Sequence, residues 1–250
     1  MYGFGDVKRW RLVLEHNVSV NNSRQLVLNV RLRDDDSFTN FLGNTNSKAS
    51  GILQHSLYSD DFFVLLHGGQ GTGKSHLLNA ACRSYQLSGK TAVSIPLGEH
   101  LGLSPAILEG LDGFQLVCLD DLDSVFGIQD WEMAVFDLYN RVQLSGGKLL
   151  AAVSVAPNHL RCQLQDLLSR LRFGISIALD ELPDAEKSEV LTTRARQRGM
   201  ELTNEVVRYI MNRSDRSLNH LLDVLQKLDD VSLSAKRRLT IPFVKSVLGW

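Results

Sequence analysis

The run Gly68-Gly69-Gln70-Gly71-Thr72-Gly73-Lys74-Ser75 constrains this chain more than any other stretch. It fits the spacing G-x-x-x-x-G-K-[ST]. The apolar run Phe62-Phe63-Val64-Leu65-Leu66 stands before it, and His76-Leu77-Leu78-Asn79-Ala80-Ala81-Cys82 follows. A buried strand, a glycine-rich turn and a helix start, in that order, are the context in which this motif forms a phosphate-binding loop. The glycines let successive backbone N–H groups turn inward around an anion. The helix N-terminus adds its positive dipole end. In such a loop Lys74 reaches the β- and γ-phosphates of ATP or ADP, and the Ser75 hydroxyl holds Mg²⁺. His76 directly follows and joins the nucleotide-binding candidates.

Strands and helices alternate around the loop. Strand candidates are Phe62–Leu66, Thr91–Ile95, Gln115–Leu119, Leu149–Ser154 and Ile175–Leu179. A helix over 49–57 precedes them, and helices lie between them. His76 to Leu87 ends at Gly89. Asp130 to Leu144 carries Trp131, Val135, Leu138, Tyr139 and Val142 on one helical face and stops at Gly146-Gly147. Near-continuous apolar strands separated by helices predict an α/β fold with a five-stranded parallel sheet between helices. After Pro183 only helices are expected, over about 184–198, 204–213, 216–231 and 241–248. Thr203 and Thr240 are N-cap candidates, and Pro242 suits a first helical position. This predicts a small all-helical domain packed beside the loop. The boundaries expected are a tail over 1–36, the nucleotide-binding domain over 37–181 and the helical domain over 182–250.

The run Phe114 to Asp123 places acids at the end of an apolar strand. Asp120 suits a second Mg²⁺ anchor opposite Ser75, and Asp121 could polarise an attacking water. The alternative is that one of these acids caps the following turn. Ser154 ends the next strand, on the side where a parallel sheet receives ligands. Arg170, before the last strand, and Arg216, at a helix start in the small domain, could each face phosphate charge. Spacing alone does not raise them above Arg172, Arg194, Arg196 and Arg198.

The net charge of −1 gives no sign of a broadly basic nucleic-acid surface and leaves a local patch open. The dispersed cysteines Cys82, Cys118 and Cys162 predict reduced thiols and a cytoplasmic protein. No run reaches transmembrane length, no signal peptide is visible and no H-E-x-x-H spacing occurs. No membrane partner is therefore expected.

The order of GGQGTGKS, LDD, a strand ending in Ser154, LSRLRFG and a helical domain with DRSLNHLL resembles the AAA+ ATPases. Within them it resembles the DnaA-like proteins, from about Ser37 to Trp250. That resemblance implies a sensor 1 role for Ser154, an arginine finger at Arg170 and sensor 2 at Arg216. It places Phe38, Phe41 and Leu42 near the nucleotide base. It also implies a β sliding clamp motif within 25–30, carried by Gln25, Leu26 and Leu28. DnaA continues into a DNA-binding helix-turn-helix, whereas this chain ends at Trp250, and no basic helix for single-stranded DNA precedes the acid pair. The resemblance therefore implies a regulatory inactivator of DnaA with little direct DNA binding. It would act with clamp-loaded DNA to stimulate hydrolysis of DnaA-bound ATP, its own turnover would be low, and homo-oligomers are a further expectation. The rival readings are an autonomous helicase-loader ATPase using Asp121 and a small-molecule P-loop kinase, against which the helical domain argues.

Overall fold

The computed structural model describes residues 36–235 and 239–250. Five strands form the sheet: β1 (Phe63–His67), β2 (Ala92–Pro96), β3 (Leu116–Asp120), β4 (Lys148–Val153) and β5 (Ile175–Ala178). All neighbours run parallel, in the order β2-β3-β4-β1-β5. Each strand differs by at most one residue at either end from the sequence expectation. His67 extends β1 because it pairs with both Val153 and Ala178. Ser154 falls outside β4 because its amide and hydroxyl turn to the Asp123 carboxylate.

The strands alternate their side chains between two cores. Phe63, Leu65, Val117, Leu119, Leu149 and Ala151 face one, and Val64, Leu66, Leu116, Cys118, Leu150 and Ala152 face the other. Helices α1 (Ser47–Ser56) and α2 (Lys74–Leu87) cover the second face. Helices α3 (Gln129–Ser145) and α4 (Gln165–Phe173) cover the first. Both faces are therefore buried, as apolar runs in a parallel sheet require. Cys82 and Cys118 are free thiols in the second core, with Sγ atoms 3.4 Å apart. Burial pushes the Cys118 thiol well up, which keeps it protonated and unreactive.

The β2–β3 connection departs from the alternating pattern. It holds three 3₁₀ segments, at 97–102, 105–108 and 111–113, where an α-helix was expected. Pro105 at a segment start and Gly110 at φ +73° break the run before it can reach helical length.

The C-terminal unit contains α5 (Asp184–Gln197), α6 (Asn204–Arg213), α7 (Leu218–Ala235) and α8 (Ile241–Leu248). Thr203 and Thr240 accept N-cap hydrogen bonds from Val206 and Phe243. These helices bury a third core that includes Leu191, Ile210, Leu221, Leu225, Leu228 and Val244.

Gly174 joins α4 to β5 against the start of β1. A Cβ there would lie 2.2 Å from Phe63 Cδ1 and 3.0 Å from the Phe63 carbonyl oxygen. Gly174→Ala should therefore destabilise the fold by about 1–3 kcal/mol. The expected reading is a lower urea midpoint at constant m-value. An unchanged midpoint would show that the Phe63 ring yields without cost.

Candidate nucleotide site

The loop from β1 to α2 closes over its own backbone. Gly68 must lack a Cβ, because one would sit 2.3 Å from the Leu179 carbonyl oxygen. Gly73, at φ +99°, is the N-cap of α2 and touches Phe41, whose Cε2 lies 2.7 Å from where a Cβ would stand. Lys74 is buried, and its ammonium donates to the carbonyls of Gly68 and Gly69, both at 2.8 Å. Thr72 Oγ1 donates to Gly69 O at 3.0 Å. Asn46 braces the loop from α1's side: its amide donates to Thr72 O and Asp180 O, and its oxygen accepts from Asp180 N. Gln70 and Ser75 stay exposed.

Asp120 ends β3 beneath this loop. Burial raises its carboxyl, and the charge of Asp121 adds to the rise; a hydrogen bond from Ser75 opposes it. A hydroxyl and one buried carboxylate match the way Mg²⁺ is held, by one or two protein groups with phosphate oxygens and water completing the shell. Ser75 and Asp120 could thus hold that ion. Asp121 is exposed, has φ +50° and faces Gly98, where a Cβ would lie 2.9 Å from its Oδ2. Ser154 is held by Asp123, which also accepts its amide at 3.0 Å.

The segment before α1 packs on α2. Phe38 and Phe41 lean on the second core, and the Phe41 and His76 ring centroids are 5.4 Å apart. Leu42 is half-buried beside them. His76 contacts Asp36 Oδ1 through Nδ1 and the Ser37 carbonyl through Nε2, both at 2.9 Å. Burial would raise the Asp36 carboxyl, but His76, Asn79 and the Arg194 charge together bring it below its ordinary value. Arg194, buried on α5, donates to Asn40 O at 3.2 Å, so this segment ties the helical unit to the loop helix.

The helical unit also meets the loop at α7. The Leu218 amide nitrogen is 3.6 Å from where a Cβ on Gly71 would be. Arg216 precedes it by two residues, is half exposed and pairs with Asp184 at 2.7 Å.

Arg170 lies elsewhere. Its guanidinium carbon sits 5.1 Å from the ring centroids of both Phe136 and Tyr139 on α3. Tyr139 in turn packs edge-on against Phe62 and Phe63, at 4.9 Å and 5.4 Å. Arg170 is thus at the start of β1, and the glycine loop is at its end. Asp166, Ser169 and the 90 % exposed Phe173 complete the surface around it. The segment 25–30, with Gln25, Leu26 and Leu28, lies outside the described residues.

A five-stranded parallel sheet, a glycine loop over an acid-tipped third strand and a helical unit leaning on that loop make up an arrangement found in solved structures. The fold is that of domain III of the Thermotoga maritima replication initiation protein DnaA, with TM-score 0.73 and 18% identity over 86% of this chain and 96% of that one. DnaA from Aquifex aeolicus, solved with AMPPCP, matches at TM-score 0.64 and 22% identity, over 81% of this chain and 67% of that one. The Thermotoga maritima RuvB Holliday junction branch migration motor matches at 0.62 and 19%, over 87% and 72%. Residues 184–248 match the family described as the Hda lid domain. The C-terminal helices are thus similar to the Hda lid domain, and the chain as a whole has the fold of DnaA domain III.

Proposed function

We propose that this protein is a regulatory inactivator of the replication initiator DnaA. It binds ADP or ATP with Mg²⁺ in its own loop, through Gly68 to His76, Asp120, Ser154 and Arg216, with Phe38, Phe41 and Leu42 beside the base. It docks on the DNA-loaded β sliding clamp through Gln25, Leu26 and Leu28. It then presents Arg170 to ATP held by DnaA, and the guanidinium stabilises the charge that develops on the transferring phosphoryl group. Its own turnover is slow, and it works in the cytoplasm beside DnaA; among the described residues no helix is long and apolar enough to cross a membrane.

The observation that carries this reading is the separation of Arg170 from the loop. Gly174 and Tyr139 hold the arginine end of α4 at the level of Phe63, whereas the loop begins after His67. Five residues of strand span roughly 15 Å, which exceeds the reach of an arginine side chain. Arg170 therefore suits a phosphate on another molecule, and this supports action in trans.

The test is hydrolysis of DnaA-bound ATP with and without this protein and clamp-loaded DNA. Stimulation should need all three components and should be lost in Gln25→Ala/Leu26→Ala. Fast steady-state ATP turnover by this protein alone, with no effect on DnaA, would favour the helicase-loader reading instead.

A further inference from the structure

One buried acid has no part in the nucleotide site. Glu132, in the first turn of α3, is 1 % exposed. Its Oε1 accepts the amides of Gly127 at 2.7 Å and Gln163 at 3.0 Å, and its Oε2 accepts the amide of Leu164 at 2.8 Å. Leu164 is the N-cap of α4 and offers no side-chain cap. The acceptor that a Ser or Asp would normally place at a helix start comes here from a different helix, and its negative charge suits the dipole of α4. Burial would raise the carboxyl, yet the three backbone amides more than offset this and hold it below the usual carboxylate range.

Glu132, Phe136 and Tyr139 are spaced i, i+4, i+7 and share one stripe of α3. The first grips the start of α4, and the other two carry the guanidinium near its end. Leu167, Leu168 and Leu171 fill the core between these two grips. The apolar packing fixes how deeply α4 sits. Contacts of that kind are non-directional and leave a helix free to slide or rotate slightly about its axis. The three directional bonds to Glu132 remove that freedom.

We infer that Glu132 is a positioning residue for Arg170: it fixes the register of α4 on α3 so that the guanidinium is presented in one place. The inference rests on the reading of Arg170 as the group that acts on a partner's ATP. Glu132→Gln keeps the volume but replaces one acceptor oxygen with an amide that faces backbone N–H groups. Glu132→Asp keeps the charge and withdraws it by one methylene.

The experiment compares both variants and Arg170→Ala with the unaltered chain. It measures stimulated hydrolysis of DnaA-bound ATP against protein concentration, affinity for nucleotide in the protein's own loop, and amide hydrogen exchange. Misplacement of a reacting group by about 1 Å can cost on the order of a hundredfold in rate. Glu132→Gln should lower maximal stimulation by roughly tenfold to a hundredfold on that scale. Half-saturation and own-nucleotide affinity should stay within about twofold, because the loop and exposed surface are untouched, well under the 1.4 kcal/mol of a tenfold change. Exchange should quicken over 163–173 and not in the strands. Glu132→Asp should fall between the two.

Full stimulation by a Glu132→Gln protein that retains nucleotide affinity would overturn the inference. So would loss of nucleotide affinity in both Glu132 variants, which would make the residue a requirement of the whole fold. Retained stimulation in Arg170→Ala would remove the reading of Arg170 itself, whatever the Glu132 variants do.

Discussion

Arg170→Ala should abolish stimulation of DnaA ATP hydrolysis while leaving this protein folded and able to bind nucleotide. An arginine supplied in trans to a phosphoryl-transfer site is worth on the order of 10³-fold or more in rate, so the residual stimulation should be near background. The fold should tolerate the change. The guanidinium lies on the faces of Phe136 and Tyr139, and such contacts at partly exposed sites contribute about 0.5–1 kcal/mol. Arg170→Lys is the sharper version. It keeps the charge but loses the planar fork that engages two phosphate oxygens, so it should recover little stimulation. The measurement is single-turnover hydrolysis on preloaded DnaA, with the urea midpoint as the control for folding. Stimulation that survives in Arg170→Ala would require another group to face the partner's ATP.

Lys74→Ala should act on the other end of the molecule. Hydrogen bonds to charged groups contribute about 1.5–3 kcal/mol each, which corresponds to roughly 10- to 150-fold in Kd. Nucleotide affinity should weaken by that amount. Lys74 now donates to the carbonyls of Gly68 and Gly69, so its head group is already at the loop and needs only to change acceptors when a phosphate enters. Titration with a fluorescent ADP or ATP analogue reads the effect. An unchanged dissociation constant would break the assignment of the glycine loop. In the proposed mechanism this variant should also lose stimulation of DnaA, by way of lost nucleotide rather than a lost guanidinium. Excess nucleotide should therefore restore Lys74→Ala in part and Arg170→Ala not at all.

The sheet was legible in the sequence because its strands are buried on both faces, which leaves apolar runs that polar loops cannot imitate. The C-terminal helices were legible because their caps are local: Thr203 and Thr240 bond to amides three residues on. The β2–β3 connection was not, since glycine and proline there break helix without naming what replaces it. The bracing groups were hidden for a different reason. Asn46 reaches Asp180 across 134 residues, and Arg194 reaches Asn40 across 154, and no local pattern records such partners. Glu132 left a faint trace, as a charge within the apolar stripe of α3, three residues before Val135 and seven before Tyr139.

The arginines divide in the same way. Spacing could not choose among them. In the fold Arg172 donates to the Pro157 carbonyl, Arg194 is buried against the loop helix, and Arg170 rests on two rings at an open surface. Only the packing of α3 against α4 makes that distinction.

Strand β1 gives the molecule a polarity. One end of it leads into the glycine loop, and the other lies beside the two rings that carry the Arg170 guanidinium. A contact that joins the arginine end of one molecule to the loop end of the next unites two different surfaces, so no two-fold axis can relate the pair; such contacts close into rings or continue as filaments. Under the proposed function, a molecule that meets DnaA by its Arg170 end would do so in one defined direction and would act on the single neighbour it faces.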